Sequence, residues 1–135
     1  MTWRMFCGTV LLPDGELADG AVLVENSRIA AVAPREILMP QAEAREAQLI
    51  EVPPGGYIAP GFVDLHVHGG AGADFMDGTA EAFRTVLAAH TRHGTTSCLP
   101  TTTVARHEQI LAVLELGRQF KAAGIKAAIE GYGDE

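Results

Sequence analysis

The residues of this chain best suited to chemistry are concentrated in one run, Ala59-Pro60-Gly61-Phe62-Val63-Asp64-Leu65-His66-Val67-His68-Gly69-Gly70. On a strand, residues i and i+2 project from the same face, so His66 and His68 can close on one cation. Imidazole nitrogen is a good ligand for zinc, and it suits iron, cobalt and nickel as well. The glycines after His68 end the strand and open a loop, where α/β enzymes carry their chemistry. The pair amounts to half of a metal site; the competing reading is two structural histidines at a strand end. Asp64 shares their face, where it can either orient an imidazole or pair with nearby backbone.

Other segments near this run also have more than one reading. Gly69-Gly70-Ala71-Gly72 could bind an anion through exposed N–H groups, or could simply make a tight turn. It lacks the spacing of a P-loop or a dinucleotide fingerprint. Thr101-Thr102-Thr103 could face a substrate or supply a helix N-cap. His90, His93 and His107 fall on or beside helical segments and read as surface or helix-end residues.

The elements that must position these residues follow two patterns. Residues 1 to about 56 read as small, turn-punctuated β structure. Met5 to Leu12 stops at Pro13-Asp14-Gly15, and Ala21–Glu25 and Ile29–Val32 flank a short polar turn, the signature of a hairpin. Glu36 to Gln48 reads as a helical turn or an exposed loop. After Pro53-Pro54-Gly55-Gly56 strands and helices alternate. A strand is expected from Tyr57 to His68, then a helix capped by Thr79, with Glu81 in its first turn and Phe83, Val86, Leu87 and His90 at helical spacing. A second strand follows over Thr95–Pro100. A second helix spans about Ala105–Ala123, burying Ile110, Val113, Leu114 and Gly117, and a third strand covers Ile125–Ile129. This order implies βαβ units and a parallel sheet, hence an α/β fold.

Composition narrows the function classes. The chain has 135 residues, 47% of them hydrophobic, which suits an ordinary globular domain. A net charge of −7 without a basic run argues against nucleic acid as a partner. Cys7 and Cys98 are too few for a disulfide framework. The N-terminus lacks a signal-peptide core, and no stretch approaches the ~20 apolar residues that span a bilayer. A cytoplasmic protein without a membrane partner is expected.

Two motif blocks go further. Pro60-Gly61-Phe62-Val63-Asp64-Leu65-His66-Val67-His68-Gly69-Gly70-Ala71-Gly72-Ala73-Asp74-Phe75-Met76-Asp77 is joined by His93-Gly94-Thr95-Thr96-Ser97-Cys98-Leu99-Pro100-Thr101-Thr102. Together they resemble the N-terminal end of the amidohydrolase superfamily and, within it, the N-acetylglucosamine-6-phosphate deacetylase family. The resemblance covers residues 1 to about 130 and about the first third of a family member. It implies a small β-sandwich-like domain over residues 1–56. Residues 57–135 would then begin a (β/α)8 metal-dependent hydrolase barrel that is incomplete in this chain, since a closed barrel takes at least ~200 residues.

The implied reaction is hydrolysis of the acetamide of N-acetylglucosamine 6-phosphate to glucosamine 6-phosphate and acetate. The implied cofactor is a divalent metal, zinc first, held by His66 and His68. Glu130 is a further implied ligand, from Ile129-Glu130-Gly131-Tyr132, where Ala128 and Tyr132 stand in place of the family's histidine and proline. Two more histidines and a proton-shuttling aspartate are expected beyond Glu135, so no catalytic residue is assigned within the chain and the 135 residues alone are expected to be inactive. The complete enzyme is expected to be a homodimer. Two other readings stay open: an amidohydrolase of cyclic amides, of the dihydroorotase or hydantoinase kind, and a truncated, non-catalytic remnant or interaction module.

Overall fold

The computed structural model describes residues 1–123, and the chain divides into two compact units, Met1–Pro60 and Gly61–Glu135. The first unit is a five-stranded sheet with one helix. Its elements are β1 (Trp3–Leu12), β2 (Gly15–Glu25), β3 (Arg28–Pro34), α1 (Arg35–Glu43), β4 (Gln48–Glu51) and β5 (Tyr57–Ile58). The strand order is β3-β2-β1-β4, with β5 also paired to β1. The expected hairpin joins β2 to β3 in antiparallel register, turning at Asn26, whose φ of 54° is one that asparagine tolerates well. Met5, Cys7, Ala21 and Leu23 form the buried face of the sheet with Leu38 and Ala42 of α1. The sandwich-like domain expected here is, over the described residues, a single sheet with a helix against one face.

The segment from Glu36 takes the helical alternative as α1, with Pro40 inside it, and a loop follows Glu43. Two other features of this unit differ from expectation. Gln48–Glu51 is a strand, parallel to β1, although only Ile50 among its four residues is β-branched. Tyr57–Ile58 does not begin the histidine-bearing strand. It pairs with Thr9 and Val10 of β1, and Ala59-Pro60-Gly61 separates it from that strand. Pro60 lacks the N–H that a continuous ladder would use.

The second unit holds β6 (Phe62–Val67), the short pair β7 (Gly69–Gly70) and β8 (Ala73–Asp74), a 3₁₀ turn (Phe75–Asp77), α2 (Ala80–Arg92), β9 (Thr95–Pro100) and α3 (His107–Ala123). β6 and β9 are parallel, with Asp64 opposite Cys98 and Val67 opposite Pro100, and α2 crosses between them as a βαβ unit requires. Thr79 caps α2, its Oγ1 accepting from the Ala82 N–H at 3.1 Å. Val67, Phe75, Phe83, Val86, Leu87 and Val113 make the core.

The α3 stripe departs from the expected one. Leu114 is 54% exposed, and Leu116 and Phe120 pack on the core with Val113 instead. This i, i+3, i+7 row follows the Phe83 ring, whose centroid is 5.1 Å from that of Phe120. The strand expected at Ile125–Ile129 and the Glu130 ligand lie outside the described residues.

Candidate metal centre

The two motif histidines meet at the end of β6. His66 Nε2 and His68 Nε2 are 3.1 Å apart, and their rings stand edge to face at 84° with centroids 4.8 Å apart. Their backbone spacing alone would leave either ring free to turn to solvent. What aims His68 is its other nitrogen, Nδ1, which lies 2.9 Å from the backbone oxygen of Thr101. A carbonyl only accepts, so His68 Nδ1–H donates and Nε2 of the neutral ring carries the lone pair. Between neutral rings, a hydrogen bond across this gap takes its proton from His66 Nε2. To bind a cation through both Nε2 atoms, His66 must give up that proton and adopt the Nδ1–H tautomer.

This geometry fits one ion. Two nitrogens about 2.05 Å from a zinc lie about 3.3–3.4 Å apart at the tetrahedral angle and about 2.9 Å apart at a right angle. The 3.1 Å separation falls between these values. A ligand imidazole that donates its second N–H to a carbonyl is the usual outer support of a metal-bound histidine. Among the described residues, no group of three or more His, Cys, Asp or Glu side chains is placed to hold a metal. The paired imidazoles are therefore all that the described residues bring to this candidate.

Thr101 was missed as a support because its contribution is a main-chain oxygen, which leaves no side-chain signature. It sits just past β9, and its N–H donates to the Val67 oxygen at 2.8 Å, continuing the parallel pairing beyond the strand. Its hydroxyl donates to the Leu99 oxygen at 3.0 Å, and α3 begins only at His107. Thr101 therefore does not cap that helix. Asp64 settles on the backbone alternative: its Oδ1 accepts from the His66 N–H at 3.0 Å.

The glycine-rich segment takes the turn alternative. β7 and β8 form a minimal hairpin in which Gly69 pairs with Asp74 and Gly70 with Ala73. Ala71 and Gly72 make the turn, both with positive φ, at 52° and 81°. A Cβ on Gly69 would collide with the Ala73 oxygen, so the close crossing demands glycine. Asp74 and Asp77 then close a capping box. The Asp74 carboxylate accepts from the Met76 N–H at 2.7 Å, and Asp77 Oδ2 accepts from the Asp74 N–H at 2.9 Å. Between them Phe75 is fully buried, and its N–H donates to the His68 oxygen at 2.9 Å. The Asp-Phe-x-Asp motif thus anchors the loop that follows the histidine pair.

Cys98 lies beside this strand end. Burial, then the charge of Asp64 across the ladder, pushes its thiol above the ordinary range. A thiol held protonated is a poor nucleophile and a poor ligand.

Known proteins resemble this chain. Residues 57–132 match the amidohydrolase family. The N-acetylglucosamine-6-phosphate deacetylase of Bacillus subtilis (strain 168) is 31% identical over 107 residues, covering 79% of this chain and 26% of the relative. The N-acetylgalactosamine-6-phosphate deacetylase of Escherichia coli O157:H7 is 31% identical over 132 residues, 97% of this chain and 32% of the relative. A solved N-acetyl-D-glucosamine-6-phosphate deacetylase from Mycobacterium smegmatis, in complex with N-acetyl-D-glucosamine-6-phosphate, superimposes with a TM-score of 0.66 at 26% identity. That match covers 90% of this chain and 30% of the other. The chain thus spans between a quarter and a third of the length of these relatives.

Proposed function

This chain belongs to the amidohydrolase family, and from that premise we propose that it supplies the N-terminal part of a metal-dependent deacetylase of N-acetylglucosamine 6-phosphate. The observation that carries the reading is the pair of Nε2 atoms 3.1 Å apart, with His68 steered from behind by the Thr101 carbonyl. His66 and His68 are the ligands, and Glu130 is proposed as a third. When bound, a divalent cation, zinc in this reading, supplies the Lewis acidity that acidifies water and polarises an amide carbonyl. The residues of this chain bind and orient: Thr101 and Asp64 set the ligand strand, while the 69–77 loop is pinned beside it.

Hydrolysis places the water oxygen on the acetyl carbon, breaks the C–N bond and delivers a proton to the departing amine. No described residue of this chain is assigned that last proton transfer. The reading makes the complete enzyme a homodimeric cytoplasmic hydrolase built on a (β/α)8 barrel. A second reading, the galactosamine epimer as substrate, is favoured by the 132-residue match to the N-acetylgalactosamine-6-phosphate deacetylase.

The test is acetate release by the complete product of the gene that encodes this chain. The panel is the two acetamido sugar phosphates, a hydantoin and dihydroorotate. Stoichiometric acetate and free amine from N-acetylglucosamine 6-phosphate is the expected result. Ring opening of the cyclic amides without acetate release, or a protein that takes up no divalent metal, overturns the proposal.

A further inference from the structure

His90 lies outside the paired-imidazole site, in the last turn of α2, yet its ring reaches the segment that carries His68. Its Nε2 is 3.1 Å from the backbone oxygen of Gly69. Because the carbonyl only accepts, His90 Nε2–H is the donor. Three successive carbonyls around His68 are thereby held. Val67 O accepts from Thr101 N–H at 2.8 Å, His68 O from Phe75 N–H at 2.9 Å, and Gly69 O from His90. The first two bonds are main chain to main chain, and the third comes from a side chain. α2 therefore clamps the loop twice: through the Phe83 ring against Phe75, centroids 4.7 Å apart, and two turns later through His90.

We propose that His90 is a positioning residue for the metal centre, holding the peptide after His68 so that His68 Nε2 stays turned toward His66 Nε2. The proposal rests on reading the pair as a metal site. Gly70 supports it independently. A Cβ there would lie 3.2 Å from His90 Nε2 and 3.5 Å from Cδ2, so the missing side chain makes room for the ring. Gly70 is not among the glycines with positive φ, so alanine at this position presses on the ring without backbone strain.

The experiment measures Co²⁺ affinity by chelator competition, together with the visible d–d spectrum. It compares the complete gene product with its His90→Ala, His90→Gln, Gly70→Ala and Gly70→Ala/His90→Ala variants. His90→Ala is expected to weaken Co²⁺ binding about 3- to 10-fold and to shift the d–d bands. That loss is smaller than the ~10- to 100-fold typical of a direct outer partner, because His90 acts one bond further out. Gly70→Ala is expected to weaken binding in the wild-type background and to add nothing once His90 is gone. His90→Gln, which keeps an N–H donor, restores affinity.

Equal affinity and spectra in wild type, His90→Ala and Gly70→Ala overturn the proposal while leaving the metal reading intact. A His90→Gln variant as weak as His90→Ala also overturns it. Should His90→Ala fail to fold, unchanged binding in Gly70→Ala decides against the proposal, and weakened binding in Gly70→Ala with full binding in His90→Gln decides for it. A wild-type protein that binds no Co²⁺ removes both the metal reading and the proposal.

Discussion

At the scale of single residues, the candidate centre turns on which nitrogen of each ring is already committed. His68 spends Nδ1–H on Thr101 O, which leaves Nε2 of the neutral ring as a lone-pair donor, whereas Nδ1 of His66 has no such partner among the described residues. Removing either ring should weaken divalent-metal binding by at least ~100-fold, since losing an outer partner alone costs ~10- to 100-fold. Equilibrium dialysis of His66→Ala and His68→Ala checks this. The thiols titrate in the opposite sense from carboxylates held by partners. Burial raises both Cys7 and Cys98 above the ordinary thiol value, so the unfolded chain loses these protons first. Their contribution to stability is complete below the ordinary thiol value and declines as pH rises through and beyond it. Urea midpoints are expected to fall between pH 8 and pH 10, and a Cys7→Ala/Cys98→Ala variant should flatten that part of the profile.

At the scale of elements, the site depends on a loop with little freedom. Gly69→Ala drives a Cβ into the Ala73 backbone and should destabilise the protein by about 1–3 kcal/mol, read from the urea midpoint. Phe83→Ala empties the contact beneath Phe75 and should cost about 3–5 kcal/mol, with lost hydrogen-exchange protection at the Phe75 amide. Elements with strong periodicity or strong punctuation were legible in the sequence. The Thr79-capped α2, the β2–β3 hairpin and β9 occupy the places that caps, turn residues and Thr-rich spacing indicate. Elements decided by tertiary pairing were not. β4 owes its existence to the edge of β1, β5 was drawn into that same sheet, and the α3 stripe rotated toward Phe83. The His66–His68 pair could be read from period-two geometry. The Thr101 carbonyl and the His90 bond could not, because backbone oxygens and bonds spanning 21 and 33 residues carry no local signal.

At the scale of the whole chain, the described residues expose a broad apolar surface. Phe62, Val63 and Leu65 of β6 are 63–69% exposed and Leu99 of β9 is 57% exposed, in a described sheet of only two strands. Parallel strands are ordinarily buried on both faces, so such a surface drives association. The 135-residue polypeptide alone is expected to show a mass that rises with concentration in light scattering, and Leu65→Lys should shift it toward the monomer. A concentration-independent monomer would contradict that expectation. Whether His66 and His68 grip one cation through their Nε2 atoms can be read from long-range ¹H–¹⁵N NMR of the imidazoles during a Zn²⁺ titration. Both Nε2 resonances are expected to move together to metal-bound positions while His68 Nδ1 stays protonated. Movement of only one ring, or of neither, would contradict it.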